Sequence, residues 1–372
     1  MRDATLNFVG VCDDLIKLVA TRRWLGVGGF ILTVPSDSEA LETLLAPGAG
    51  IVVMDGDMVL FSGPVDSGPD EVAVARRELA NADTVGTDIV TITGADDLVW
   101  LADRLVHPSP VSGNVAAQAY DVRAGLASTV ILAYVSANCG PGAMTDRRTP
   151  GLVLGADPGV GAFVTGAGRW QNLAGFVAEL AHQGGIGISA AQTGRQIVVS
   201  ALAPADRTEQ VVFSPQMGNV QAATVETTRV TGTAVYVAGQ GEGTLRQVAV
   251  ATSGAVRRVE TFVDRRDIDN LPELQVIAAA ELVNAVGAPS ITVDPIETSS
   301  FRYGTDYELG DLVGVQIGSV RSSERIMTTE LTLTADGFSR ALTLGQPVET
   351  GVAGLVQLLR KQSARIGHLE RI

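Results

Sequence analysis

The sequence predicts an α+β, β-rich chain: a β domain, then an α/β insert, then a second β domain carrying a small insert of its own. Short apolar or alternating runs broken by turn residues fill residues 1–95 and return from 196 onward. Between them, longer apolar stretches alternate with Gly-rich loops. Aromatic residues are only 5% of the 372, so the core is built from Val, Ala, Leu and Ile.

In the first β domain, 1–95, the expected strands are Thr5 to Val11, Leu15 to Thr21, Phe30 to Val34, Ile51 to Met54, Met58 to Phe61 and Asp88 to Thr93. The pair Asp55-Gly56 between two of these runs is a hairpin signal, because glycine accepts the positive φ of a type I′ turn. Six strands at this spacing suggest a small barrel or sandwich. In the α/β insert, 96–195, Ala95-Asp96-Asp97 is placed to cap a short helix through Arg104, and Leu126 to Ala137 reads as a buried helix. Trp170 to His182 spaces Leu173, Phe176, Val177 and Leu180 for a third helix, which Gly184-Gly185 ends.

The second β domain, 196–262 with 289–346, carries strands at Ile197 to Leu202, Gln210 to Phe213, Ala222 to Val225, Thr233 to Val237, Gln247 to Ala251 and Arg258 to Phe262. It resumes at Ser290 to Val293, Leu312 to Ile317, Ile326 to Thr334 and Arg340 to Leu344. A helical insert, 263–288, interrupts it, with Pro272 in the first turn of a helix from Leu271 to Val286 and Gly287 at its end. The C-terminal helix, 347–372, spaces Leu355, Leu359, Ile366 and Leu369 by three, four or seven, with Gln362 on the same seam. That pattern suits either a trimeric coil about 30 Å long or a helix packed on its own subunit.

With 41 acids against 27 bases the formal charge is −14, which argues against a surface built to wrap nucleic acid. Cys12 and Cys139 cannot form a disulfide framework and are expected as free thiols. No leader pattern and no run of 18 apolar residues is present, so a chain made in a cytoplasm without a membrane span is expected. His107, His182 and His368 form no ligand pattern, and no metal or cofactor is expected. Gly155-Ala156-Asp157-Pro158-Gly159-Val160-Gly161 lacks the lysine of a phosphate loop. No Gly-x-Ser-x-Gly elbow occurs, Asp13-Asp14 and Asp96-Asp97 sit where helices need caps, and no catalytic residue is assigned. The polar run Val263 to Ile268 reads as a salt-bridged corner between a strand and the following helix.

Four blocks in one order resemble the tail-tip (baseplate) hub or minor tail proteins of long-tailed actinobacterial phages. They are Thr21-Arg22-Arg23-Trp24 with Gly28 to Leu32, Tyr134 to Asn138 with Asp146-Arg147-Arg148, Glu260 to Ile268, and Tyr303 to Val313. Within them the family-signature structural residues are Trp24, Asn138, Phe262, Asp264, Arg266, Asp267, Tyr307, Gly310 and Asp311. The resemblance implies two related β-barrel domains with two smaller α/β inserts, in a homotrimeric ring that closes the distal end of the tail tube. It implies no enzymatic activity and a place in the virion. The implied partners are the distal tail protein, the tape-measure protein and other tail-tip or receptor-binding proteins, with DNA only in transit. Three copies total −42, and an acidic lumen is expected to repel the passing genome. With the chain stopping at Ile372, any wall-degrading activity is expected on another polypeptide. The alternative is a glycan-binding or glycan-hydrolysing tail protein that uses paired carboxylates or Trp24, Trp100 and Trp170.

Overall fold

The computed structural model describes residues 1–65, 75–78, 88–115, 117–227, 230–266, 268–286, 289–298 and 301–345. The first part of the chain forms β1 (Lys17–Arg23), β2 (Gly26–Pro35), α1 (Ala40–Leu44), β3 (Gly50–Asp55), β4 (Met58–Pro64), β5 (Ala75–Glu78) and β6 (Ile89–Ala95). Next come α2 (Val99–Ala102), β7 (Asp121–Leu126), α3 (Ala127–Asn138), β8 (Leu152–Leu154), β9 (Phe163–Gly168), α4 (Leu173–Gly184), β10 (Gly187–Thr193) and β11 (Gln196–Leu202). They are followed by β12 (Val212–Phe213), β13 (Val220–Thr227), β14 (Ala234–Ala238), β15 (Val248–Thr252), β16 (Glu260–Asp264) and α5 (Leu271–Val286). The chain returns through β17 (Pro289–Pro295), β18 (Leu312–Ile317), β19 (Val320–Thr334) and β20 (Gly337–Gly345). Residues 346–372, with the expected coil positions Leu355, Leu359, Ile366 and Leu369, lie outside the described residues.

Two compact units result. Among the described residues one holds Met1–Ala222 with Val293–Leu342, the other Ala223–Thr292 with the chain from Thr343 to Gly345. The largest sheet runs β13-β17-β20-β19-β1-β2-β6-β5, with β18 pairing β19 and β12 pairing β18. Its centre is antiparallel: Ala20 faces Phe30 on β2 and Leu331 on β19, so both β segments of the sequence share one sheet. Leu18, Ala20, Phe30, Leu32, Val90, Ile92 and Leu331 share a core with Leu44, Ile51, Leu60 and Phe61. Among the described residues the strand path is open and no closed barrel is formed. The β3–β4 hairpin turns at Asp55-Gly56, where Gly56 takes φ 56°.

Residues 5–11, expected as a strand, form a turn instead. The Asp3 carboxylate accepts the backbone N–H groups of Thr5 (2.8 Å) and Asn7 (2.9 Å) together with the Thr5 hydroxyl and the Asn7 amide. Such local bonds compete with a ladder and hold Leu6 at φ 63°.

The α/β part packs α3 and α4 with the strands β10, β11 and β8 around Ile131, Tyr134, Val135, Leu173, Val177, Leu180, Ile197 and Val199. Asn172 caps α4 by accepting from Gly175 N at 3.1 Å, and Gly185 closes it at φ 67°. Here β11, expected to open the second β domain, pairs instead with β10 and β8. The short helix expected through Arg104 shrinks to the single turn of α2.

In the second unit β15-β14-β16 form a three-stranded sheet. Val235, Val237 and Ala249 pack with Leu274 and Ala278 of α5. The helix spans the expected residues, yet it is no separate insert: strands 234–264, expected in the second β domain, share its core. Alternation decides this, because the inward residues of β14 and β15 have nothing else to pack on.

Candidate functional site

The centre of the first unit is a junction around Trp24, which sits in the tight connection between β1 and β2 and is buried. Its backbone N–H donates to Met327 O of β19 at 2.9 Å. Gly187 and Gly310 both press on the indole: a Cβ on either would stand within 2.2 Å of the ring. The Arg325 guanidinium lies 5.6 Å over the ring and donates to Gly310 O. Asp311, also buried, accepts from Ala205 N (2.8 Å), Arg207 Nε (2.8 Å) and Glu308 N (3.1 Å). Three signature residues 286 positions apart in sequence thus share one joint.

The other signature residues serve other joints. Asn138 ends α3, where its Oδ1 accepts from His107 N (3.0 Å) and Arg147 Nη1 (3.2 Å) while its Nδ2 donates to Tyr134 O (3.0 Å). Tyr307 is buried against Phe213, Phe301 and Tyr303, and Arg340, paired to Glu297 at 2.9 Å, stacks 4.0 Å over Tyr303. In the second unit Asp264 pairs with Arg246 and with Arg266 (3.3 Å), and Arg246 also covers Phe262 at 5.7 Å. This is the salt-bridged corner that leads into α5; Asp267 falls outside the described residues. Of the tryptophans, Trp100 donates Nε1 to Asp97 at 3.1 Å and Trp170 stacks on His107 at 4.8 Å.

Sequence reasoning missed a buried ion pair. Arg2 donates Nη1 to Asp97 Oδ2 (3.0 Å) and to Gln192 Oε1 (2.9 Å), and Asp97 also accepts from Ser62 Oγ (2.6 Å). Ninety-five residues separate the partners, so no local pattern announces them. The adjacent Asp96 accepts from Gly28 N (2.8 Å) and Leu98 N (3.1 Å), and burial pushes its carboxyl up to about 7. Burial also pushes the Cys139 thiol up to about 12, which keeps it protonated and unreactive. Among the described residues no group of His, Cys, Asp and Glu is set to hold a metal ion. None of the helices there is long and apolar enough to cross a membrane.

Two sheet faces point away from the cores of the described residues. The side of β19-β1-β2-β6 away from the core carries the rows Thr334-Lys17-Thr33-Thr91, Thr332-Val19-Ile31-Thr93 and Glu330-Thr21-Gly29. Lys17 and Glu330 are charged, and β5 pairs Arg76 with Thr91 at the end of the first row. The β7–β9 ribbon buries Asp121 and Val164 on one side, with Tyr134 Oη donating to Asp121 O and Gly166 O at 2.7 and 2.8 Å. Its other side sets Val122 against Ala167, Ala124 against Thr165 and Leu126 against Phe163, all exposed and uncharged. Phe163 and Val122 are 71% and 64% exposed. An uncharged apolar patch of this kind marks a contact surface.

No curated protein matches the chain. Among solved structures, it is similar to the 43 kDa tail protein of prophage MuSo2 from Shewanella oneidensis, with a TM-score of 0.58 at 14% identity, over 90% of this chain and 94% of that one. It is also similar to the tail protein from Neisseria meningitidis MC58, with a TM-score of 0.54 at 17% identity, over 89% and 92%. At these identities the likeness is one of fold. The family of siphovirus ReqiPepy6 Gp37-like proteins matches residues 1–346. The chain, β-rich with few helices, therefore belongs to the siphovirus ReqiPepy6 Gp37-like protein family.

Proposed function

We propose that the chain is a non-catalytic structural subunit, three copies of which form a hub ring at the distal end of a phage tail tube. The observation that carries this reading is the β1–β19 pairing, which joins the two β segments into one open sheet. Among the described residues β5 ends that path on one side and β13 on the other. Edges of this kind invite pairing, and a head-to-tail contact that repeats around an axis closes into a ring. In this reading the shared open sheet is the frame of the hub, and the Trp24, Gly310 and Asp311 joint fixes one β segment against the other.

The Thr-rich face then lines the channel. In this reading DNA passes over a face on which threonines outnumber charges, and not over the acidic lumen expected from the net charge. The exposed side of the β7–β9 ribbon is assigned to other tail proteins, among them the distal tail and receptor-binding proteins, and the tape-measure protein meets the ring on its axis.

Sedimentation and imaging of the purified chain test the ring. A three-membered ring with a central opening is expected at micromolar concentration. A monomer that persists at high concentration, or measurable turnover of cell-wall glycan, overturns the reading.

A further inference from the structure

Helix α5 is apolar on two sides. Leu274 and Ala278 are buried in the core of the second unit, with Ile277, Leu282 and Ala285 packed beside them. Val276, Ala279, Ala280 and Val283 form a second stripe at i, i+3, i+4 and i+7, all exposed, with Val276 at 70% and Val283 at 64%. An exposed apolar stripe on a helix whose other face is already buried has the spacing of a second helix's footprint. The same helix carries Glu273 and Glu281 and no Lys or Arg.

We infer that the C-terminal segment, 354–372, docks as a helix on this stripe of its own chain. Its seam of Leu355, Leu359, Ile366 and Leu369 has the matching spacing. Its last 13 residues hold four bases, Arg360, Lys361, Arg365 and Arg371, against one acid, Glu370, in a chain whose net charge is −14. Apolar seam meets apolar stripe, and the basic flank meets Glu273, which borders the stripe three residues before Val276. A trimeric coil on the ring axis would instead bring three copies of the basic cluster together around Gln362, which like-charge repulsion disfavours. The connection is short enough: β20 ends at Gly345, and Thr343–Gly345 fall in the same compact unit as α5. About nine residues separate Gly345 from the first seam leucine and span up to about 30 Å extended. The docked helix covers the stripe and keeps it from other chains. This inference does not depend on the ring.

Hydrogen exchange on the full chain tests it, with wild type compared against Val276→Glu/Val283→Glu and against Leu359→Glu/Leu369→Glu. Amides of 355–370 are expected to be protected in wild type and to exchange at least tenfold faster in both variants, with the oligomeric state unchanged. Because Val276 and Val283 are exposed, the first variant keeps its fold, which protection of the β14 amides verifies. Unprotected amides at 355–370 in wild type overturn the proposal. So does protection that survives the α5 substitutions, or a loss of oligomer in the Leu359→Glu/Leu369→Glu chain, which is the signature of a coil between copies.

Discussion

Gly310 lies so close to Trp24 that a Cβ on it would stand 1.9 Å from the ring's Cζ3, and its φ of 96° suits glycine alone. Strain and overlap therefore act together at this position. Gly310→Ala is expected to lower stability by more than about 3 kcal/mol, read as a fall in Tm. Trp24→Leu opens a cavity at the same joint and costs about 3 kcal/mol. A Gly310→Ala chain that melts with wild type would show that the joint yields freely.

The buried Arg2–Asp97 pair makes a different kind of prediction. Removing one partner strands the other charge, so Arg2→Met is expected to cost about 3–5 kcal/mol in urea unfolding. Arg2→Met/Asp97→Leu removes both charges and should recover at least half of that loss. Equal losses in the single and double variants would mean that the pair's charge is immaterial and that Gln192, Ser62 and Trp100 carry the site.

What was legible in the sequence was local. The α5 boundaries, the Gly56 hairpin and the glycine stop at Gly185 each depend on residues within a few positions, and each stands where it was expected. Strands β7, β9 and β10 were not foreseen, because their glycines read as loop. Gly166 instead makes room for Tyr134, Gly168 for Val106 and Gly187 for Trp24. Asp97 carried a cap signal while its partner lay at the other end of the domain. The signature residues Trp24, Gly310 and Asp311 were singled out without any sign that they meet; only the pairing of β1 with β19 brings them together.

Tyr307 tests the economy of the aromatic cluster. Its hydroxyl is buried without a hydrogen-bond partner among the described residues, and burial raises its pKa well above the usual phenol value. Tyr307→Phe keeps the ring contacts with Phe213, Phe301 and Tyr303 and removes an unsatisfied polar group. Stability is expected to be unchanged or higher by about 1 kcal/mol. A clear loss in thermal unfolding would reveal a partner for the hydroxyl.

Asp96 predicts a pH dependence with a definite sign. Burial dominates the rise of its carboxyl to about 7; Arg22 and the Gly28 and Leu98 N–H groups act against that rise, while Asp97 adds to it. Unfolded, the same group releases its proton near 3.8. Between those values the folded chain binds more protons, so the residue's contribution to stability is full below pH 3.8 and is lost as pH rises toward 7. The limiting slope is about 1.4 kcal/mol per pH unit, reached where the folded chain holds the proton and the unfolded chain has lost it. The measurement is the difference in unfolding free energy between wild type and Asp96→Asn from pH 4 to 8, which removes the background from the other acids. Wild type is expected to lose stability relative to the variant as pH rises. A flat difference, or one of opposite sign, would mean that Asp96 stays ionised in the fold and that its two N–H donors outweigh its burial.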